Sequence, residues 1–350
     1  MTAPVSPAVP VASIPGVDDA LQARVADGMT AVAARMLEVV DHHDPFIAEA
    51  SGHLAAAGGK RFRPLLTLLA SEVGSGWNDR VVDAAVGVEL THLASLYHDD
   101  VMDEADLRRG VDSANARYGN ATAILIGDLL FGTASSVVAG LGAEAVRIQA
   151  ETFVRLCAGQ IRDDRQTLDA APASAALAGD ADDPAAVTAY LQILADKTGA
   201  LIATSARYGA MFGGCDAATV RTLTDYAERL GVVFQLADDL LDVASQADTS
   251  GKTPGTDLRE GKATLPVLYA RTSTDPADAR LLELTRGPIE DPDDLAEALE
   301  LLRGHRAMGQ ARAHAARVAD EARVLLDGLD PTPAVDALRA LVDGVAERSV

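Results

Sequence analysis

Two short acidic runs, Asp99-Asp100-Val101-Met102-Asp103 and Asp238-Asp239-Leu240-Leu241-Asp242, carry the most distinctive chemistry in the sequence. In each, a four-residue spacing puts the first and last carboxylates on one face of a helix, Asp99 with Asp103 and Asp238 with Asp242. Gln235 precedes Asp238 by one turn on that face, and Ser95, His92 and Val88 continue the face of Asp99 backwards. Stacked carboxylates repel each other, so a bound cation is a natural reason for tolerating them. A solvated acidic helix face explains one such run equally well, but two make coincidence harder to defend. All-oxygen ligands completed by water and substrate phosphate suit Mg²⁺ far better than zinc. No Cys/His cluster has zinc spacing.

Basic residues supply the complement. Gly58-Gly59-Lys60-Arg61-Phe62-Arg63-Pro64 sets three cations before a helix start marked by Pro64. Glycines that permit close approach, free helix N–H groups and charge-assisted hydrogen bonds make this a ready diphosphate site. Arg108-Arg109-Gly110 closes the first acidic helix, where cations also favour the negative helix end. Lys197, Thr198, Lys252 and Lys262 are further candidate phosphate contacts, although a single lysine is usually a solvated surface charge.

The elements that position these groups read as helices. Apolar residues recur at three and four spacing, as in Val82, Ala85, Val86, Leu90, Leu93 and Tyr97. Aromatics are only 4% of the 350 residues and no alternating strand stands out, so the pattern predicts an all-α bundle of ten or more helices. Residues 1–17 read as a disordered leader without the basic start of a signal peptide, and residues 18–350 as a single helical domain. Residues 169–184 and 246–256 read as loops, the second expected to move over a site because it follows an acidic run and holds Lys252. No uninterrupted apolar stretch approaches the length of a membrane span. A net charge of −22 argues against nucleic acid or an anionic membrane as a general partner. Cys157 and Cys215 fit a reducing, cytoplasmic setting.

Five ordered segments resemble the trans-isoprenyl diphosphate synthase family, specifically its polyprenyl synthases: GGKRFRP from Gly58, LYHDDVMDEADLRRG from Leu96, DKTGALIATSARYGA from Asp196, FQLADDLLD from Phe234 and GKTPGTDLREGKATLP from Gly251. The acidic runs are weak singly, whereas the ordered set is highly specific. Residues 161–184 depart from the family by being longer, more acidic and richer in alanine.

The resemblance implies an isoprenoid synthase-type bundle with a central substrate cavity, acting as a homodimer. The implied enzyme condenses isopentenyl diphosphate with an allylic diphosphate, using three Mg²⁺ ions with diphosphate bound. Asp99, Asp103 and Asp238 would ligate metal; Asp100, Asp239 and Asp242 would orient ligands and coordinated water. Lys60, Arg63, His92 and Arg109 would bind isopentenyl diphosphate. Arg108, Lys197 and Lys252 would grip the allylic diphosphate, with Thr198, Gln235 and Lys262 near the reacting carbons and phosphates. Ala94 and Ser95, small where short-chain members carry aromatics, predict a long-chain product. The protein is expected to be cytoplasmic and not integral to a membrane, meeting one transiently to release product. The competing readings are a geranylgeranyl-type synthase, a class I terpene cyclase, and a non-catalytic subunit of a heteromeric synthase. The cyclase should lack the basic site of Lys60 and Arg63, and the inactive subunit should have lost aspartates that are all present here.

Overall fold

The computed structural model describes residues 18–59, 61–168, 184–245 and 254–347. The expected leader, Lys60, Lys252 and most of the two expected loops lie outside these residues. Among the described residues, sixteen α-helices, one π-helical turn, one 3-10 turn and one two-stranded ladder make up the regular structure. The described chain divides into two compact units. One runs to Phe153 and adds Leu201–Asp225 and Leu326–Ala340; the other holds Val154–Ala200, Tyr226–Leu325 and the chain from Leu341.

In the first unit, α1 (Asp19–Val40), α3 (Phe62–Ser71) and α6 (Asn120–Ala139) pack on α4 (Asp79–Met102). Helix α1 buries one stripe, Leu21, Val25, Met29, Val32, Met36 and Val40, at the spacing of a half-exposed helix. Helix α4 is buried nearly all round from Val81 to Ala94, so its charged exceptions need partners. It starts where Asn78 accepts from the amides of Arg80 and Val81 at 3.0 and 3.2 Å. Close approach to α6 is set by glycine: a Cβ on Gly87 would lie 2.5 Å from Cγ2 of Val138. Helix α2 (Pro45–Ala56) begins with an aspartate cap followed by proline, Asp44-Pro45, and α14 (Pro292–Gly304) repeats the device with Asp291-Pro292.

Three local expectations change. Helix α4 ends at Met102, so Arg108 and Arg109 do not cap its last turn; they sit in a hairpin pairing β1 (Leu107–Arg108) with β2 (Val111–Asp112). The two-residue turn has φ of 54° at Arg109 and 78° at Gly110, the twist that suits such hairpins. Helix α3 opens at Phe62, with Pro64 inside the first turn where proline is tolerated. Finally, α6 is 20 residues long with a mean hydropathy of 1.6, long and apolar enough to cross a membrane, although only 33% of it is buried.

In the second unit, α7 (Ala143–Leu168) contributes its C-terminal part, and α8 (Pro184–Leu194) passes into a π-helical turn, Ala195–Gly199, before α9 (Ala200–Phe212). Helix α10 (Ala217–Ala244) buries Leu230, Val233, Leu236, Leu240 and Val243 here. Its last carbonyls are capped by Arg303, which donates to Val243 and Ser245 at 2.7 Å each. Helix α11 (Thr256–Glu260) starts at the final residue of the expected second loop.

Candidate active site

Within the first acidic run the carboxylates take different positions. Asp99 is half-buried and Asp103, at the C-terminal end of α4, is exposed. Asp100 is fully buried, accepting from Arg108 Nε at 2.6 Å and from the amide of Ala114 at 3.2 Å. It therefore fixes the hairpin that carries the arginine pair. Arg108 also approaches Asp103, at 3.8 Å.

Beside this helix lies a buried basic cluster. The guanidinium of Arg109 donates to the carbonyls of Leu54, at 3.2 Å, and Gly58. It rests on Gly59, where a Cβ would lie 2.8 Å from its Cζ and where φ is +130°. The paired glycines thus admit an arginine side chain, and this contact holds Arg109 in its left-handed backbone conformation. Burial pushes Arg63 down to about 10, opposed by the charge of Glu89 and assisted by that of Arg109. Burial also raises the carboxyl of Glu89, against the pull of Arg63, Arg109 and Arg61. His92 is driven well below its ordinary value, first by burial and then by Arg63, Arg109 and Arg108, so it is neutral at pH 7.

Arg63 Nε and Glu89 Oε2 are buried without a hydrogen-bond partner among the described residues. Several cations gathered around one carboxylate, with donor capacity unspent, make a site for an anion. Sequence reading passed over Glu89, although an acid three residues before His92 in an otherwise apolar stretch was a legible signal.

In the second unit, Asp238 and Asp242 are half-buried and Asp239 is 6% exposed. Asp239 accepts from Gln235 Nε2 at 2.8 Å and from the hydroxyl of Tyr190; burial nevertheless lifts it to about 6. Gln235 thus serves Asp239, and its Oε1 accepts from Thr198 at 3.3 Å. Asp242 receives the amides of Thr256 and Asp257 at 3.1 and 3.0 Å, tying α11 to the acidic run.

The π turn presents Lys197 and Thr198, and such turns often mark functional positions. Asp196 anchors it through Arg155 at 2.8 Å and Arg162 at 2.7 Å. Lys197 Nζ lies 2.6 Å from Asp163, which is 3.9 Å from Lys262 Nζ. Lys262 also pairs with Glu260 at 2.6 Å. Gly159 lets the turn pack against α7, since a Cβ there would lie 2.5 Å from the Lys197 amide. Asp163 and Gly159 were missed because the acidic residues after 160 read as part of an unusual segment, whereas α7 continues to Leu168.

The profile of the family described as Polyprenyl synthetase matches residues 44–302. The chain belongs to the polyprenyl synthetase family. Nonaprenyl diphosphate synthase of Mycobacterium tuberculosis is 43% identical to it over 344 residues, 98% of this chain and 99% of that one. Geranylgeranyl pyrophosphate synthase from Corynebacterium glutamicum, solved with calcium and isoprenyl diphosphate, has a TM-score of 0.81 at 39% identity, covering 95% and 98% of the two chains. A decaprenyl diphosphate synthase from Rhodobacter capsulatus gives 0.82 at 34% identity, covering 95% and 99%. This synthetase therefore has the isoprenoid synthase helical fold. It is a prenyltransferase of a magnesium-dependent family, using isopentenyl and allylic diphosphates.

The donor set fits that metal. Among the described residues of the synthetase, no three His, Cys, Asp or Glu groups form a cage for an ion. Magnesium needs none, being held by one or two carboxylates and completed by water and substrate phosphate.

Proposed function

We propose that this synthetase elongates an allylic diphosphate repeatedly with isopentenyl diphosphate to give a long-chain linear polyprenyl diphosphate. The observation that carries this reading is the order of groups along α4. Asp99 and Asp103 stand at its C-terminal end, and the small Ala94 and Ser95 come one turn earlier. Thr91, Val88 and Gly87 then line a narrow cavity within the first unit. A tail anchored at the aspartates meets no aromatic residue of α4 at those levels.

Asp99, Asp103 and Asp238 ligate Mg²⁺, with three ions accompanying the bound diphosphate. When bound, the metal draws charge from the allylic diphosphate and assists loss of that leaving group. Arg108, Lys197 and Lys252 hold the same diphosphate, and Asp163 aims Lys197. Lys60, Arg63 and Arg109 hold isopentenyl diphosphate beside the neutral His92, so its double bond attacks the allylic carbon. The proton lost afterwards goes to the released diphosphate, so no side chain serves as general base.

The working unit is a homodimer in the cytoplasm. Ile124, Leu125 and Leu129 of α6 and Val146 of α7 are exposed apolar side chains that a second copy would cover, and both cysteines are free thiols. Product length is tested by incubating the enzyme with radiolabelled isopentenyl diphosphate, Mg²⁺ and each primer. Replacing Ala94 and Ser95 with Phe should shorten the products towards farnesyl diphosphate. A folded, active double variant with unchanged long products would contradict the role of that level.

A further inference from the structure

The cavity beside α4 is closed by side chains from three other helices of the first unit: Val138 from α6, Gln149 and Thr152 from α7, and Thr204 and Tyr208 from α9. Its hydroxyls are turned away from the space. Thr152 donates to Ile148 at 2.8 Å and shares a 2.6 Å hydrogen bond with Thr204, Tyr208 donates to Ala145 at 2.7 Å, and Thr91 donates to Gly87 at 2.8 Å. With these groups satisfied, the wall presents mainly carbon. Gln149 is the exception, only 8% exposed and with Nε2 lacking any hydrogen-bond partner among the described residues.

We propose that Gln149 is a specificity-determining residue, a polar checkpoint that sets how readily the growing hydrocarbon tail passes this level. The inference rests on the proposed elongation of an allylic diphosphate. Val88 precedes Asp99 by eleven residues, about 16 Å along the helix. With one five-carbon unit spanning about one helical turn, the tail arrives after about three units. The amide is already unpaired, and a hydrocarbon chain offers it no acceptor, so each tail that advances must pack against a bare polar edge or displace the side chain, and gains less there than against an apolar wall. Some intermediates are released at this point and the remainder continue.

The test compares product-length distributions of the full-length enzyme and its Gln149→Leu and Gln149→Met variants, with Mg²⁺, radiolabelled isopentenyl diphosphate and geranyl diphosphate. The expected result is about a tenfold fall in the ratio of fifteen- and twenty-carbon products to longer ones in both variants. The rate of the first condensation should be unchanged and the thermal midpoint equal or higher, because an unpaired buried amide is removed. An unchanged distribution in either folded, active variant would overturn the proposal. So would lower stability in both variants without a change in length, since Gln149 would then be structural. Wild-type enzyme that fails to elongate any allylic primer would instead overturn the function on which the inference rests.

Discussion

The ammonium of Lys197 lies 2.6 Å from a carboxylate oxygen of Asp163, joining the π turn to helix α7. A long flexible cation is thereby held in one place, which lowers the entropic cost of meeting a phosphate. Replacing Asp163 with Asn keeps the shape and removes the charge. The expected outcome is a ten- to hundredfold loss of kcat/KM for the allylic substrate, about 1.5–3 kcal/mol, with KM for isopentenyl diphosphate unchanged. Steady-state titration of each substrate separately checks the split.

Gly159 controls the same turn from behind. A Cβ would meet backbone, 2.5 Å from the Lys197 amide and 2.9 Å from the carbonyl carbon of Asp196, and backbone cannot swing aside as a side chain can. Gly159→Ala should cost about 1–3 kcal/mol of stability and weaken use of the allylic substrate. Gly309→Ala in α15 (Arg306–Leu326) is the control, because nothing lies within 4 Å of the added methyl. That change should stabilise the protein by about 0.5–1 kcal/mol. Thermal unfolding of the two variants should move in opposite directions.

The neutral state of His92 has a pH signature. Its folded value is depressed, by burial and then by Arg63, Arg109 and Arg108, whereas the unfolded chain titrates near 6.5. Below about pH 6.5 the unfolded state binds the extra proton, so stability falls as pH falls. The contribution is fully present above that pH. His92→Gln should remove this component of the acid sensitivity. In the free enzyme, His92 ring resonances followed by NMR should not titrate between about pH 6 and 8.

The two diphosphates should be separable by mutation. Arg63→Ala should raise KM for isopentenyl diphosphate ten- to hundredfold, while Lys252→Ala should chiefly impair the allylic substrate. Equal effects of each variant on both substrates would contradict the assignment of separate basic groups.

What could be read from sequence follows from the range of the signals. The spacing of Asp99 with Asp103 and of Asp238 with Asp242 is local, as is the apolar periodicity from Val82 to Tyr97 in α4, so the helical class and the acidic runs were legible. The use of Gly59 was not, because its neighbour is Arg109, fifty residues away, whose own positive φ belongs to a turn that the helix pattern does not announce. Asp100 and Asp103 look alike in the sequence. Their separation into a buried hairpin anchor and an exposed carboxylate is decided by Arg108 and Ala114. The π turn inserts its extra residue without any composition signal, and Asp163 gains meaning only from Lys197 beside it.

The central claim is metal-dependent condensation of two diphosphates on the paired acidic runs. The decisive measurement is incorporation of radiolabelled isopentenyl diphosphate into linear polyprenyl diphosphate by wild type, Asp99→Ala and Asp238→Ala, each with Mg²⁺ and with excess chelator. The expected result is robust incorporation by wild type only with Mg²⁺ and near-complete loss in both variants. Circular dichroism should show their helices intact, with metal-free stability little lowered or raised by relief of carboxylate repulsion. Full turnover in chelator, or near-normal rates in both variants, would contradict the account.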